Sequence, residues 1–136
     1  MITKYTPLIA DEIEMSRFAS DISLIAKENA TIFLFGELGA GKTLFAKKFI
    51  SQACGFDENE VSSPTFNIVN CYKSFNGCDI FHYDLYRIED FTELQEIGLF
   101  DNINAGINII EWPEICKDQV QRIAENLISI YLKRSA

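Results

Sequence analysis

The stretch "GELGAGKT", Gly36 to Thr43, satisfies the pattern GxxxxGK[ST] at each fixed position: Gly36, Gly41, Lys42 and Thr43. Average composition would supply it by chance in on the order of one in two hundred chains of this length, so the match carries weight. The residue types suit a polyphosphate. Glycines lack a Cβ, and consecutive backbone N–H groups can turn inward to form an anion nest. A helix that starts here adds the positive end of its dipole. Lys42 can reach β- and γ-phosphates, and the Thr43 hydroxyl can ligate the Mg²⁺ that bridges them. The expected cradle runs Gly36, Glu37, Leu38, Gly39, Ala40, Gly41, Lys42, Thr43 and Leu44. A glycine-rich turn without a ligand is the plain alternative.

A metal held by phosphates needs a carboxylate on its far side, directly or through water. Two acids follow apolar, strand-like runs: Asp84 after "DIFHY" and Glu111 after "INII". Either could serve the metal while the other orients or deprotonates the attacking water. One of them could instead only pair with Lys42 or Arg87. His82 alternates with Asp84 and so shares its strand face; it reads as a structural histidine. Trp112 is balanced between partner contact and core packing. No NKxD-like guanine reader is present, which favours ATP over GTP. The four arginines, Arg17, Arg87, Arg122 and Arg134, are scattered and make no phosphate-transfer lid, which argues against a small-molecule kinase.

The elements needed to position these groups are legible. "TIFLF", 31–35, is a short unbroken apolar run, as expected of a strand covered on both faces. "TLFAKKFISQAC" repeats Leu44, Phe45, Lys48 and Phe49 at helical spacing, with Gly55 where a C-terminal cap belongs. Before the strand, Asp11 and Glu14 have capping-box spacing, and Ile13, Phe18, Ile22 and Ile25 predict an amphipathic helix over 11–28. "FNIVNCYKSF" and "DIFHYDLY" flank Asn76-Gly77, a hairpin signal. Short helices are expected at 92–98 and 117–125, and strands at 107–112 and 126–132. The expectation is an α/β fold: one P-loop NTPase-like domain over 1–136, its central mixed sheet flanked by helices.

The totals exclude several classes. A chain of 136 residues fits one domain that buries roughly two-thirds of its unfolded surface. The net charge of −8 argues against gripping nucleic acid by bulk electrostatics. No run approaches the roughly 18 apolar residues of a membrane span, and the first residues lack a signal-peptide layout, so the cytoplasm is expected. Cys54, Cys71, Cys78 and Cys116 form no CxxC pair and read as buried reduced thiols rather than a zinc site.

The ordered set "GELGAGKT", "SSPTFNIVNCY", "HYDLYRI", "ELQEIGLFD" and "IIEWPE" resembles the TsaE (YjeE) family, the bacterial ATPases of tRNA threonylcarbamoyladenosine (t6A) formation. The likeness runs from about Leu34 to Glu114. It implies that the loop cradles ATP and Mg²⁺, and that Ser63, Pro64, Thr65 and Phe66 form a switch-like loop near the γ-phosphate, with Thr65 among the nucleotide contacts. It further implies a Walker B-like role for Asp84 and a catalytic or Mg²⁺-linked role for Glu111. Lys42, Asp84 and Glu111 are thus the expected catalytic set, with Thr43, Asp84 and Glu111 toward the metal. Tyr86, Arg87 and Trp112 would lie near the site or face a partner. The implied partners are TsaD and TsaB, which modify position 37 of tRNAs reading ANN codons, with slow ATP hydrolysis resetting that complex. Transfer RNA would be reached through the complex, and neither DNA nor membrane is involved.

Overall fold

The computed structural model describes residues 2–64 and 67–133. In chain order the elements are β1 (Ile2–Tyr5), α1 (Glu12–Ile25), β2 (Ala30–Phe35), α2 (Lys42–Cys54), β3 (Val69–Lys73) and β4 (Asp79–Asp84), followed by α3 (Phe91–Glu96), α4 (Leu99–Asn102), β5 (Ile107–Glu111), α5 (Lys117–Ile123) and β6 (Asn126–Tyr131). The strands form one sheet in the order β1-β6-β2-β5-β4-β3. All neighbours are parallel except β3 with β4. This is the expected mixed sheet, and helices cover both faces.

Strand alternation builds both cores at once. Ile32 and Leu34 of β2 face α1 and α2, joined there by Ile80, Ile109, Ile128 and Ile130. Phe33 and Phe35 face the other way, against Leu94, Leu99 and Val120 of the shorter helices. β2 is buried at every position, as its unbroken apolar run requires. Because β2 is central, the loop after it emerges between the C-terminal ends of β5 and β6. In open α/β sheets that is where ligands bind.

Local chemistry sets the boundaries. The Asp11 side chain accepts a hydrogen bond from the Glu14 N–H at 2.9 Å, and the Glu14 carboxylate accepts one from Ala10 N–H at 2.7 Å. Gly55 ends α2 in the left-handed region at φ 77°, and a Cβ there would lie 2.2 Å from the Phe75 ring. The hairpin at Asn76-Gly77 forms, but with three loop residues rather than two. Ser74 N–H donates to Cys78 O, Gly77 N–H donates to Ser74 O, and Gly77 takes φ 80°. That is a type I turn closed by a left-handed glycine.

Four expectations need correction. β1 is a strand that periodicity did not predict. The helix expected over 11–28 ends at Ile25, and its buried stripe is Met15, Ala19 and Ile22, with Ile13 and Ile25 exposed. The helix expected at 92–98 runs from Phe91 to Glu96, and Gly98, at φ 75°, starts a separate turn of helix, α4, beyond the expected range. Of the four free cysteines only Cys54 and Cys116 are buried; Cys71 is exposed on the edge strand β3. Among the described residues no helix is long and apolar enough to cross a membrane.

Candidate functional site

Alternation along two strands gathers the acids. β4 points Ile80, His82 and Asp84 to the α1/α2 side, and β5 points Ile107, Ile109 and Glu111 the same way. The parallel register pairs Asp84 with Glu111 and His82 with Ile109. Both acids therefore end their strands side by side, beneath the N-terminus of α2. This convergence is the arrangement the sequence leads one to expect for Asp84 and Glu111.

The glycine loop supplies the opposite wall. Gly36, Gly39 and Gly41 have φ of 153°, 79° and 108°. A Cβ on Gly36 would stand 2.7 Å from the Leu132 carbonyl oxygen, and one on Gly41 would stand 2.9 Å from Met15 Cε. Backbone blocks a larger residue at Gly36, whereas at Gly41 the left-handed φ is the constraint, because the Met15 tip could move aside. Ala40 N–H is used inside the loop, donating to Glu37 O at 3.0 Å. Gly41 caps α2 with no side-chain hydrogen bond, so the first-turn amides of this 13-residue helix meet the cleft without a protein side chain to cap them.

Lys42 and Thr43, the first two residues of α2, reach into the cleft in different ways. The Lys42 ammonium donates to the carbonyls of Gly36 and, at 2.9 Å, Glu37. It also lies 3.9 Å from the Trp112 ring centroid. Burial lowers its pKa from the ordinary lysine value, against the opposing pull of the negative charges on Glu111, Glu114 and Asp84. Thr43 Oγ1 donates to Glu111 Oε1 at 2.8 Å. The other Glu111 oxygen, Oε2, lies 2.6 Å from His82 Nε2. Asp84 is half-buried, and its carboxylate accepts from Tyr86 N–H at 3.1 Å.

These groups border a cleft of about 480 Å³ that extends to Ile68, Tyr86, Arg87 and Trp112. Leu38, Gly39 and Leu44 line it, whereas Gly36 and Glu37 border a neighbouring hollow beside Tyr131 and Leu132. Thr65 and Phe66 lie outside the described residues; Ser63 and Pro64 are described but do not line the cleft. Trp112 has φ 58° and ψ 59°, a costly conformation for an aromatic residue. It turns the chain out of β5 so that the indole lies over Lys42 and 4.8 Å from the Tyr86 ring.

The arrangement fits a magnesium–polyphosphate. Among the described residues no three His, Cys, Asp or Glu side chains cluster to hold a metal alone. Mg²⁺ needs no such cage, because it keeps waters and takes phosphate oxygens beside one or two carboxylates. The Thr43 hydroxyl and the carboxylates of Glu111 and Asp84 are the donors placed to complete that set. His82, read from the sequence as a structural histidine, is fully buried and bonded to Glu111, a contact that depends on strand register and cannot be read from spacing alone.

Fold and cleft together define a P-loop nucleotide-binding class of α/β protein. A family profile described as "Threonylcarbamoyl adenosine biosynthesis protein TsaE" matches residues 9–136. The chain belongs to the TsaE family. It is 39% identical over 122 residues to the tRNA threonylcarbamoyladenosine biosynthesis protein TsaE of Rickettsia typhi, covering 90% of this chain and 81% of that one. The namesake from Rickettsia felis is 39% identical over 110 residues, covering 81% of this chain, which spans 63% of that relative's length. The Bacillus subtilis protein of the same name is 32% identical over 123 residues, covering 90% of this chain and 73% of its own. Among solved structures, Bacillus subtilis YdiB superposes with a TM-score of 0.68 at 25% identity, over 94% of this chain and 75% of that one.

Proposed function

We propose that this chain binds Mg-ATP across the α2 N-terminus and hydrolyses it slowly, serving the cytoplasmic complex of TsaD and TsaB that forms threonylcarbamoyladenosine on tRNA. The observation that carries the reading is the meeting of Thr43 and Glu111 at 2.8 Å beneath an uncapped helix start. Phosphate charge is favoured at such a helix end, while a carboxylate beside it suits a cation rather than an anion. Only a ligand carrying both satisfies the two walls together.

In this reading the main-chain amides between Leu38 and Leu44, apart from that of Ala40, hold the phosphates, and Lys42 follows the β- and γ-oxygens. Bound Mg²⁺ supplies charge neutralisation at those oxygens. Thr43 holds the metal from the helix side, and Asp84 and Glu111 hold it from the sheet side. Glu111, the more buried acid, is also placed to orient the attacking water. The resemblance to the family adds Thr65, outside the described residues, as a nucleotide contact.

Calorimetry with Mg-ATP and a phosphate-release assay test this. Saturable binding and slow turnover are expected, with turnover rising when TsaD and TsaB are added. Lys42→Ala should remove binding. Unaltered binding in that variant, or no rise with the authentic partners, would overturn the reading.

A further inference from the structure

His82 is a buried titratable group that the reaction described above leaves without a part, and it touches one of the acids of the cleft. It is the chain's single histidine and is enclosed completely between sheet and helix. Its Nε2 lies 2.6 Å from Glu111 Oε2, while its Nδ1 has no hydrogen-bond partner among the described residues. A desolvated ring nitrogen without a partner carries a cost that an apolar side chain of similar volume would avoid. Core filling alone therefore does not account for an imidazole here. What the imidazole adds is one N–H aimed at one carboxylate oxygen, with the proton on Nε2.

We propose that His82 is a positioning residue, fixing the plane and rotamer of the Glu111 carboxylate from within the sheet. The two Glu111 oxygens take their hydrogen bonds from different elements. Oε1 is held by Thr43, at the mobile-ligand side of the cleft on α2, and Oε2 by His82 in β4. With Thr43 alone, the carboxylate can pivot about a single bond. With both, its two oxygens and their lone pairs have fixed directions, which positioned catalysis requires. His82 itself touches neither nucleotide nor metal. The proposal rests on the ATP reading of the cleft.

Two variants of His82, and imidazole spectra of the wild type and of Glu111→Gln, test it. His82→Leu keeps the volume and removes the donor; His82→Gln keeps an N–H of similar reach. Turnover of His82→Leu should fall by on the order of 10–100-fold with the Mg-ATP dissociation constant within about threefold of wild type, and His82→Gln should return to within about tenfold. A nitrogen-15 spectrum of the single imidazole should show the proton on Nε2, and that signal should move in Glu111→Gln even without nucleotide. Thermal unfolding of both variants separates loss of fold from loss of positioning. Wild-type turnover in His82→Leu, equal losses in Leu and Gln, or an Nε2 found without a proton would each overturn the proposal. If the wild type neither binds nor hydrolyses ATP, the nucleotide reading falls and takes this role with it. Normal wild-type turnover with an indifferent His82→Leu removes this role alone.

Discussion

The Lys42 ammonium lies against two carbonyls and an indole face, held out of water. A phosphate brings full negative charge where the two carbonyls bring only dipoles, so an arriving phosphate should draw the ammonium away from Trp112. Trp112 is the only tryptophan in the chain, so its fluorescence reports that one event. Emission is expected to change on titration with Mg-ATP, and Lys42→Ala should alter the resting spectrum and abolish the change. Constant emission during binding that calorimetry verifies would show that the ammonium stays on the ring. Glu111 calls for the opposite pattern. Glu111→Ala removes a group assigned to the hydrolytic step rather than to phosphate capture, so Mg-ATP should still bind while phosphate release is lost. Normal turnover in that variant would move the catalytic role to Asp84.

Elements carry the site only as accurately as their ends are fixed, and α1 illustrates how. Its Asp11 cap was legible as a spacing, and the bond to Glu14 N–H is present. Losing it in Asp11→Ala should cost about 1 kcal/mol, or roughly 3–5 °C in Tm for a chain of this size, with ATP binding unchanged. Circular dichroism melts measure the first part and calorimetry the second. The face of the same helix was not legible. At 100° per residue, Ile13 lies about 160° round from Met15, so an apolar residue type did not make it a core residue. β1 was illegible for another reason: "ITKY" is an edge strand of four residues, exposed or half-buried throughout, and its pairing with β6 is long-range. β2, buried on both faces, needed no such partner information. The glycine loop was readable because backbone geometry demands its residue types. The grip of His82 on Glu111 was not, because it is made by the register of two strands separated by the whole α3–α4 segment.

At the scale of the whole molecule, charge decides how the chain can meet RNA. A net charge of −8 on 136 residues opposes the polyanion everywhere except where local cations gather. Cations do not gather at the mouth of the cleft, where Lys42 and Arg87 are matched by Asp84 and Glu111. A protein that neutralises several phosphates loses affinity steeply with salt, by about 10³–10⁵ between 50 and 200 mM for six to ten contacts. An acidic chain has no such reserve to lose. The isolated protein is therefore expected to show no measurable tRNA complex at near-physiological salt, with or without Mg-ATP, whereas a mixture with TsaD and TsaB should retain it on tRNA. Mobility shifts over a salt series measure this directly. Tight binding by the chain alone, weakening steeply as salt rises, would reveal a basic footprint and transfer RNA contact from the partners to this protein. Salt-insensitive retention that needs the partners would instead place the chain on a protein surface, where the exposed Tyr86 ring and its neighbour Trp112 offer an aromatic contact beside the cleft.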